Sequence, residues 1–103
     1  VVDAFIRAAE MPAEAWGPHR AVSIPGITYT VGEMVDALTE VAGPSVSDRI
    51  DFKIDADIRA IVSGWPMKFA AKRGHDLGFQ ADGSMQEIIQ AFIEDELGGD
   101  FAP

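Results

Sequence analysis

The side chains that could take part in acid, base or nucleophilic chemistry in these 103 residues include two histidines, one tyrosine and five serines besides 17 carboxylates, with no cysteine. Their spacing excludes the familiar catalytic arrangements. Tyr29 is followed four positions later by Glu33, so no Tyr-x-x-x-Lys pair exists. No serine stands in Gly-x-Ser-x-Gly, the nucleophile elbow. His19 and His75 are far apart and form no His-Glu-x-x-His pair for zinc. No two of the ten glycines are separated by a single residue, so a dinucleotide-binding Gly-x-Gly-x-x-Gly loop cannot form. Asp51, Asp55 and Asp57 open like a calcium loop, but the twelfth position falls on Val62 or Pro66 instead of Glu. The chain by itself is expected to hold no catalytic residue, no cofactor and no metal.

Two single residues remain as candidates for binding. Trp65 follows Gly64 and precedes Pro66, a place where an aromatic ring can close a pocket or plug the gap between two helices. Arg73, in the only adjacent basic pair (Lys72-Arg73), can clamp a carboxylate or phosphate with two parallel hydrogen bonds. It can equally serve the C-terminal dipole of its own helix or pair with Asp76. His75 reads as a surface or packing residue, and Glu94-Asp95-Glu96 as the wet face of a helix.

The elements that must position these groups are readable from periodicity and caps. Eight Lys and Arg against 17 Asp and Glu leave a net charge of −9, unfavourable for nucleic acid or an anionic membrane. With 48% hydrophobic residues the chain folds as one lobe over 1–99, with a frayed tail at 100–103. Nothing approaches the 18 or so apolar residues of a membrane span, and no basic start precedes an apolar block. Absent cysteines leave a cytoplasmic location as the expectation. Residues 1–10 read as a helix with Val2, Phe5, Ile6 and Ala9 on one face and an Asp3–Arg7 pair on the other. That helix starts without a capping residue, which predicts that sequence upstream of Val1 has been removed.

Pro12 opens a short helix through Trp16. Residues 21–24 and 27–30 read as short strands, and Ile50-Asp51-Phe52-Lys53-Ile54 alternates as a half-buried strand should. Thr30-Val31-Gly32-Glu33 is a capping box for a helix that buries Val31, Met34, Val35, Leu38 and Val41 and stops at Gly43-Pro44. Asp55 caps a helix with Ile58, Ile61 and Val62 inward, and residues 69–77 form another that ends at Gly78. Ser84-Met85-Gln86-Glu87 is a second capping box, opening a helix that buries Ile88, Ile89, Phe92, Ile93 and Leu97 before Gly98-Gly99. The fold class is a mixed, helix-rich α/β lobe. Its three short strands are few for an independent sheet.

At Ser63-Gly64-Trp65-Pro66 and from Phe69 through Phe79 the sequence resembles the C-terminal portion of an extended short-chain dehydrogenase/reductase, in the NAD-dependent epimerase/dehydratase superfamily. Val2-Asp3-Ala4-Phe5, Ile24-Pro25-Gly26-Ile27-Thr28, Val31-Gly32-Glu33-Met34 and the stretch from Glu87 to Leu97 support it, so the likeness covers nearly the whole chain. The resemblance implies a substrate lobe that closes over a Rossmann domain absent from this chain. It implies NAD for the parent enzyme, a sugar acid or related sugar as substrate, and hydride transfer to NAD with an upstream tyrosine as general base and a lysine lowering its pKa. Trp65 and Arg73 would then line the substrate, the missing Rossmann domain would be a partner, and the first helix could self-associate.

Two positions depart from the family pattern: Ala70 stands where an acid is usual, and Gly74 where alanine is usual, at a helix cost of about 0.5–1 kcal/mol. The alternative is a small acidic binding module without catalysis. Asp76-Leu77-Gly78-Phe79 before a Ser-capped helix resembles an acyl carrier, although Ser84 lies in Gly83-Ser84-Met85 and not in Asp-Ser-Leu.

Overall fold

The computed structural model describes residues 1–99; the tail expected at 100–103 lies outside them. Seven helices are present among the described residues: α1 Val2–Glu10, α2 Ala13–Trp16, α3 Val31–Ala42, α4 Pro44–Ser47, α5 Ala56–Val62, α6 Lys72–Asp76 and α7 Met85–Leu97. No strand forms among these residues, which corrects the α/β expectation to helical. Residues 21–24, 27–30 and 50–54 run irregularly instead. Alternation specifies an apolar side, whereas a strand also needs a ladder partner, and Pro25 has no N–H to offer one. The alternating Ile50, Phe52 and Ile54 are all exposed, so nothing in the described chain covers that side.

The chain gathers into two compact units: Val1–Ile27 with Phe69–Asp82, and Thr28–Lys68 with the chain from Gly83 onward. In the first, α1 lacks a side-chain cap, as its sequence suggested, and Pro12 introduces α2, which ends at Gly17 with φ 58°. The expected Asp3–Arg7 pair does not form. Arg7 instead donates from Nε to the Leu77 carbonyl, 2.9 Å away, with its guanidinium 6.0 Å from the centre of the Phe79 ring. Phe79, 2% exposed, is the anchor of this unit, and its ring meets Trp16 at 6.2 Å between centroids and 55° between planes. The helix expected over 69–77 is confined to α6, because Ala71 at ψ 47° leaves the helical region and supplies no cap. Gly78 takes φ 79°, the left-handed conformation expected of it.

In the second unit the Thr30 box is complete. Thr30 Oγ1 accepts from the Glu33 amide at 3.2 Å, and the Glu33 carboxylate accepts from the Thr30 amide at 2.7 Å. Asp55 accepts from the Asp57 and Ile58 amides at the start of α5. Ser84 accepts from the Glu87 amide, but the Glu87 carboxylate reaches the Gly83 amide and not that of Ser84, so this second box is shifted by one residue. Gly98 and Gly99 both adopt positive φ, and the Gly99 amide donates back to the Ile93 carbonyl at 2.9 Å. Helices α3 and α7 pack together, with Gln86 donating to Glu40 across them at 2.8 Å. Ala37, Ala42 and Ile93 are the buried residues of this unit. Several residues expected inside are exposed: Val31 and Met34 on α3, Ile58, Ile61 and Val62 on α5, and Ile88, Phe92 and Leu97 on α7. Periodicity groups them on faces, but the described residues supply no cover for those faces.

Candidate functional site

The most heavily connected side chain of the first unit is Arg73, near the start of α6. Its Nη1 donates to the Ala21 carbonyl at 2.6 Å, and its Nη2 to the carbonyls of Trp16, also 2.6 Å, and His19. One planar guanidinium thus fastens three carbonyls of a segment that lies more than fifty residues earlier in the chain. Gly17 and Pro18 shape that segment by turning the backbone out of α2, and the close approach of α6 completes it. A Cβ at Gly74 would sit against the Ser23 carbonyl and 3.0 Å from Pro25 Cδ, so α6 can lie this near only with glycine there. The Asp76 pair considered for Arg73 does not form: Lys72 makes that ion pair, at 2.6 Å and largely in solvent. A small hollow of about 190 Å³ remains between residues 21–23 and 70–74, beside Ala70, where the family resemblance leads one to expect an acid. A larger open cavity of about 600 Å³ lies elsewhere in this unit, walled by Phe5, Arg7, Trp16, Ile24 and Phe79.

Trp65 belongs to the second unit and Arg73 to the first, so neither unit carries both candidates. Trp65 is 63% exposed, which rules out the reading that it plugs the gap between two helices. The chain around it is held by its own amide donating to the Val62 carbonyl and by Thr28 donating to the Met67 carbonyl at 3.3 Å. It presents an apolar ring, alongside exposed Met67, without local cover. The titratable group with a clear perturbation is Glu33, whose carboxyl is held below its ordinary value first by the Thr30 amide and then by the Thr30 hydroxyl. That is the chemistry of a helix cap. Among the described residues no three of His, Cys, Asp or Glu gather as metal ligands. Reading the sequence missed Arg7 as a tie between α1 and the Gly78-Phe79 turn, and Gly74 as a point of close approach. The left-handed Gly78 was the available signal for the former, and a glycine inside a helix where the family pattern has alanine for the latter.

No protein-family model matches the chain. Over 94 residues it is 39% identical to the D-erythronate dehydrogenase of Cupriavidus necator, a match covering 91% of this chain and 29% of that protein. The D-erythronate dehydrogenase of Haemophilus influenzae is 34% identical over 97 residues, or 94% of this chain and 31% of the other. Among solved structures, the nucleoside-diphosphate-sugar epimerase from Agrobacterium tumefaciens superposes with a TM-score of 0.87 at 43% identity, over 96% of this chain and 29% of that one. The chain therefore spans less than a third of each relative, and it corresponds to their C-terminal part.

Proposed function

We propose, from homology to the D-erythronate dehydrogenases, that this chain is the substrate-binding C-terminal lobe of an NAD-dependent oxidoreductase or epimerase acting on a D-erythronate-like sugar acid. The observation that carries this reading is the agreement of 39% identity to a named dehydrogenase with a 0.87 superposition on an epimerase, both over more than nine-tenths of the chain. The described residues do not fit a nicotinamide dinucleotide. No glycine loop is present to approach a pyrophosphate, and no Tyr-x-x-x-Lys to move the alcohol proton. The hydride step, NAD and a Rossmann domain therefore belong, on this proposal, to another part of the parent enzyme, in the cytoplasm. The lobe contributes walls that exclude water and groups that match the substrate's charge. Trp65 serves as an exposed apolar wall. Arg73 serves the anionic end of the substrate through the segment it holds.

The test is NAD reduction by the protein that carries this chain, with D-erythronate as substrate. Erythronate-dependent NADH formation is the expected result. Conversion of a nucleoside-diphosphate sugar with no net NADH would move the reading to epimerase, the second activity named among the relatives. A phosphopantetheine mass increment on Ser84 would replace both by a carrier.

A further inference from the structure

The first unit contains a second cationic position, and the Arg73 bonds give it a defined place. The three carbonyls that Arg73 holds belong to Trp16, His19 and Ala21, so they bracket the dipeptide His19-Arg20 on both sides. With the backbone pinned before, within and after this corner, the two side chains start from a fixed base and not from a mobile loop. Both are exposed, and neither has a hydrogen-bond or ion-pair partner among the described residues. The other Lys and Arg of this unit are all engaged: Arg7 with the Leu77 carbonyl, Lys72 with Asp76, and Arg73 with the corner itself. Arg20 alone is left over.

The charge distribution points the same way. Four Lys and Arg against five Asp and Glu leave the first unit at −1, whereas four against twelve leave the second at −8. Within a Debye length, about 8–10 Å at ordinary salt, an anion meets little repulsion at the first unit and strong repulsion at the second. A free guanidinium on a pinned backbone, in the nearly neutral part of an acidic chain, is suited to receive two carboxylate oxygens in parallel.

We propose that the His19-Arg20 corner is the carboxylate-recognition element of this lobe, with Arg20 taking the carboxylate of a small hydroxy acid and Arg73 acting as the positioning residue behind it. This deepens the substrate-lobe reading and rests on it for the class of ligand. Isothermal titration of the protein with sodium D-erythronate, and with erythritol as the uncharged control, tests it. Arg20→Gln should weaken erythronate about ten- to a hundredfold, the loss expected for a charged hydrogen bond, and leave erythritol unchanged. Arg20→Lys should restore part of the loss. Arg73→Lys should weaken erythronate less than Arg20→Gln does, while raising amide exchange across residues 17–21 and not across α7.

Erythronate binding unaffected by Arg20→Gln, or an equal loss for erythritol, overturns the proposal. Turnover is a separate readout. A protein that binds erythronate through Arg20 without reducing NAD would refute the proposed activity and keep this site. NAD reduction whose KM ignores Arg20→Gln would do the reverse.

Discussion

Gly74 carries opposite meanings in the two kinds of reading. By helix propensity it is a loss of about 0.5–1 kcal/mol relative to alanine, whereas in the folded unit it is the only side chain that lets α6 lie against Ser23 and Pro25. The obstacle to a Cβ is a backbone carbonyl and a proline ring, neither of which can swing aside. Overpacking of this kind costs about 1–3 kcal/mol, more than the propensity gain. Gly74→Ala is therefore expected to lower stability in chemical denaturation, and an unchanged midpoint would show that the 23–25 segment yields freely. Arg73 makes a parallel case. Arg73→Ala leaves three carbonyls without their shared donor, and in the parent enzyme it should raise KM for an anionic substrate more than for a neutral analogue. A falling melting temperature with KM unchanged for both would confine Arg73 to the fold.

At the scale of elements, capping chemistry was the most legible part of the chain. Thr30-x-x-Glu33, Asp55 and Ser84 each start a helix where their types and spacing indicate, because a cap is made by residues within three or four positions of one another. Thr30→Ala should cost about 1 kcal/mol, read as a lower denaturation midpoint. The Glu33 carboxyl is lowered in the folded chain by the Thr30 amide and hydroxyl, so folding favours its ionised form. The stabilisation it brings is present above the ordinary glutamate range and is lost as pH falls through the lowered folded value. Protection of the amides at the start of α3, taken relative to intrinsic exchange at each pH, should fall on acidification through that range, and Glu33→Gln should flatten the profile. A wild-type profile equally flat would show that the carboxylate adds nothing to the cap.

At the scale of the molecule, the buried apolar set is small: Ala37, Ala42, Ala71, Phe79 and Ile93. Against it stand α1 residues such as Phe5, 73% exposed, together with Val1, Val2 and Ile6. Burying one such large side chain is worth about 1.5–3 kcal/mol, comparable with a good fraction of a domain's total stability. The isolated 103-residue chain is thus expected to associate with itself through α1. Its net charge of −9 opposes this at low salt and is screened at high salt, so light scattering should report larger particles as salt is added. Phe5→Asp should abolish the effect. A monomer at every salt concentration, indifferent to that substitution, would mean that α1 has no such tendency. The same chain should show no micromolar site for NAD by calorimetry, since it has no loop to receive the pyrophosphate; such a site would require a new account of where NAD binds.

What the sequence by itself determined is local. Caps, left-handed glycines, helix starts and the missing dinucleotide loop all depend on residues a few positions apart, and the family resemblance depends on short motifs in a fixed order. The tertiary structure decided whatever depends on partners distant in the chain. Ile50-Asp51-Phe52-Lys53-Ile54 alternates like a strand but pairs with nothing among the described residues, because a ladder is a property of two segments and alternation of one. Arg73 was visible as a cation, yet its acceptors are carbonyls more than fifty residues away, and carbonyls are present in every residue and so leave no mark in a sequence. Only folding selects which three of them meet one guanidinium.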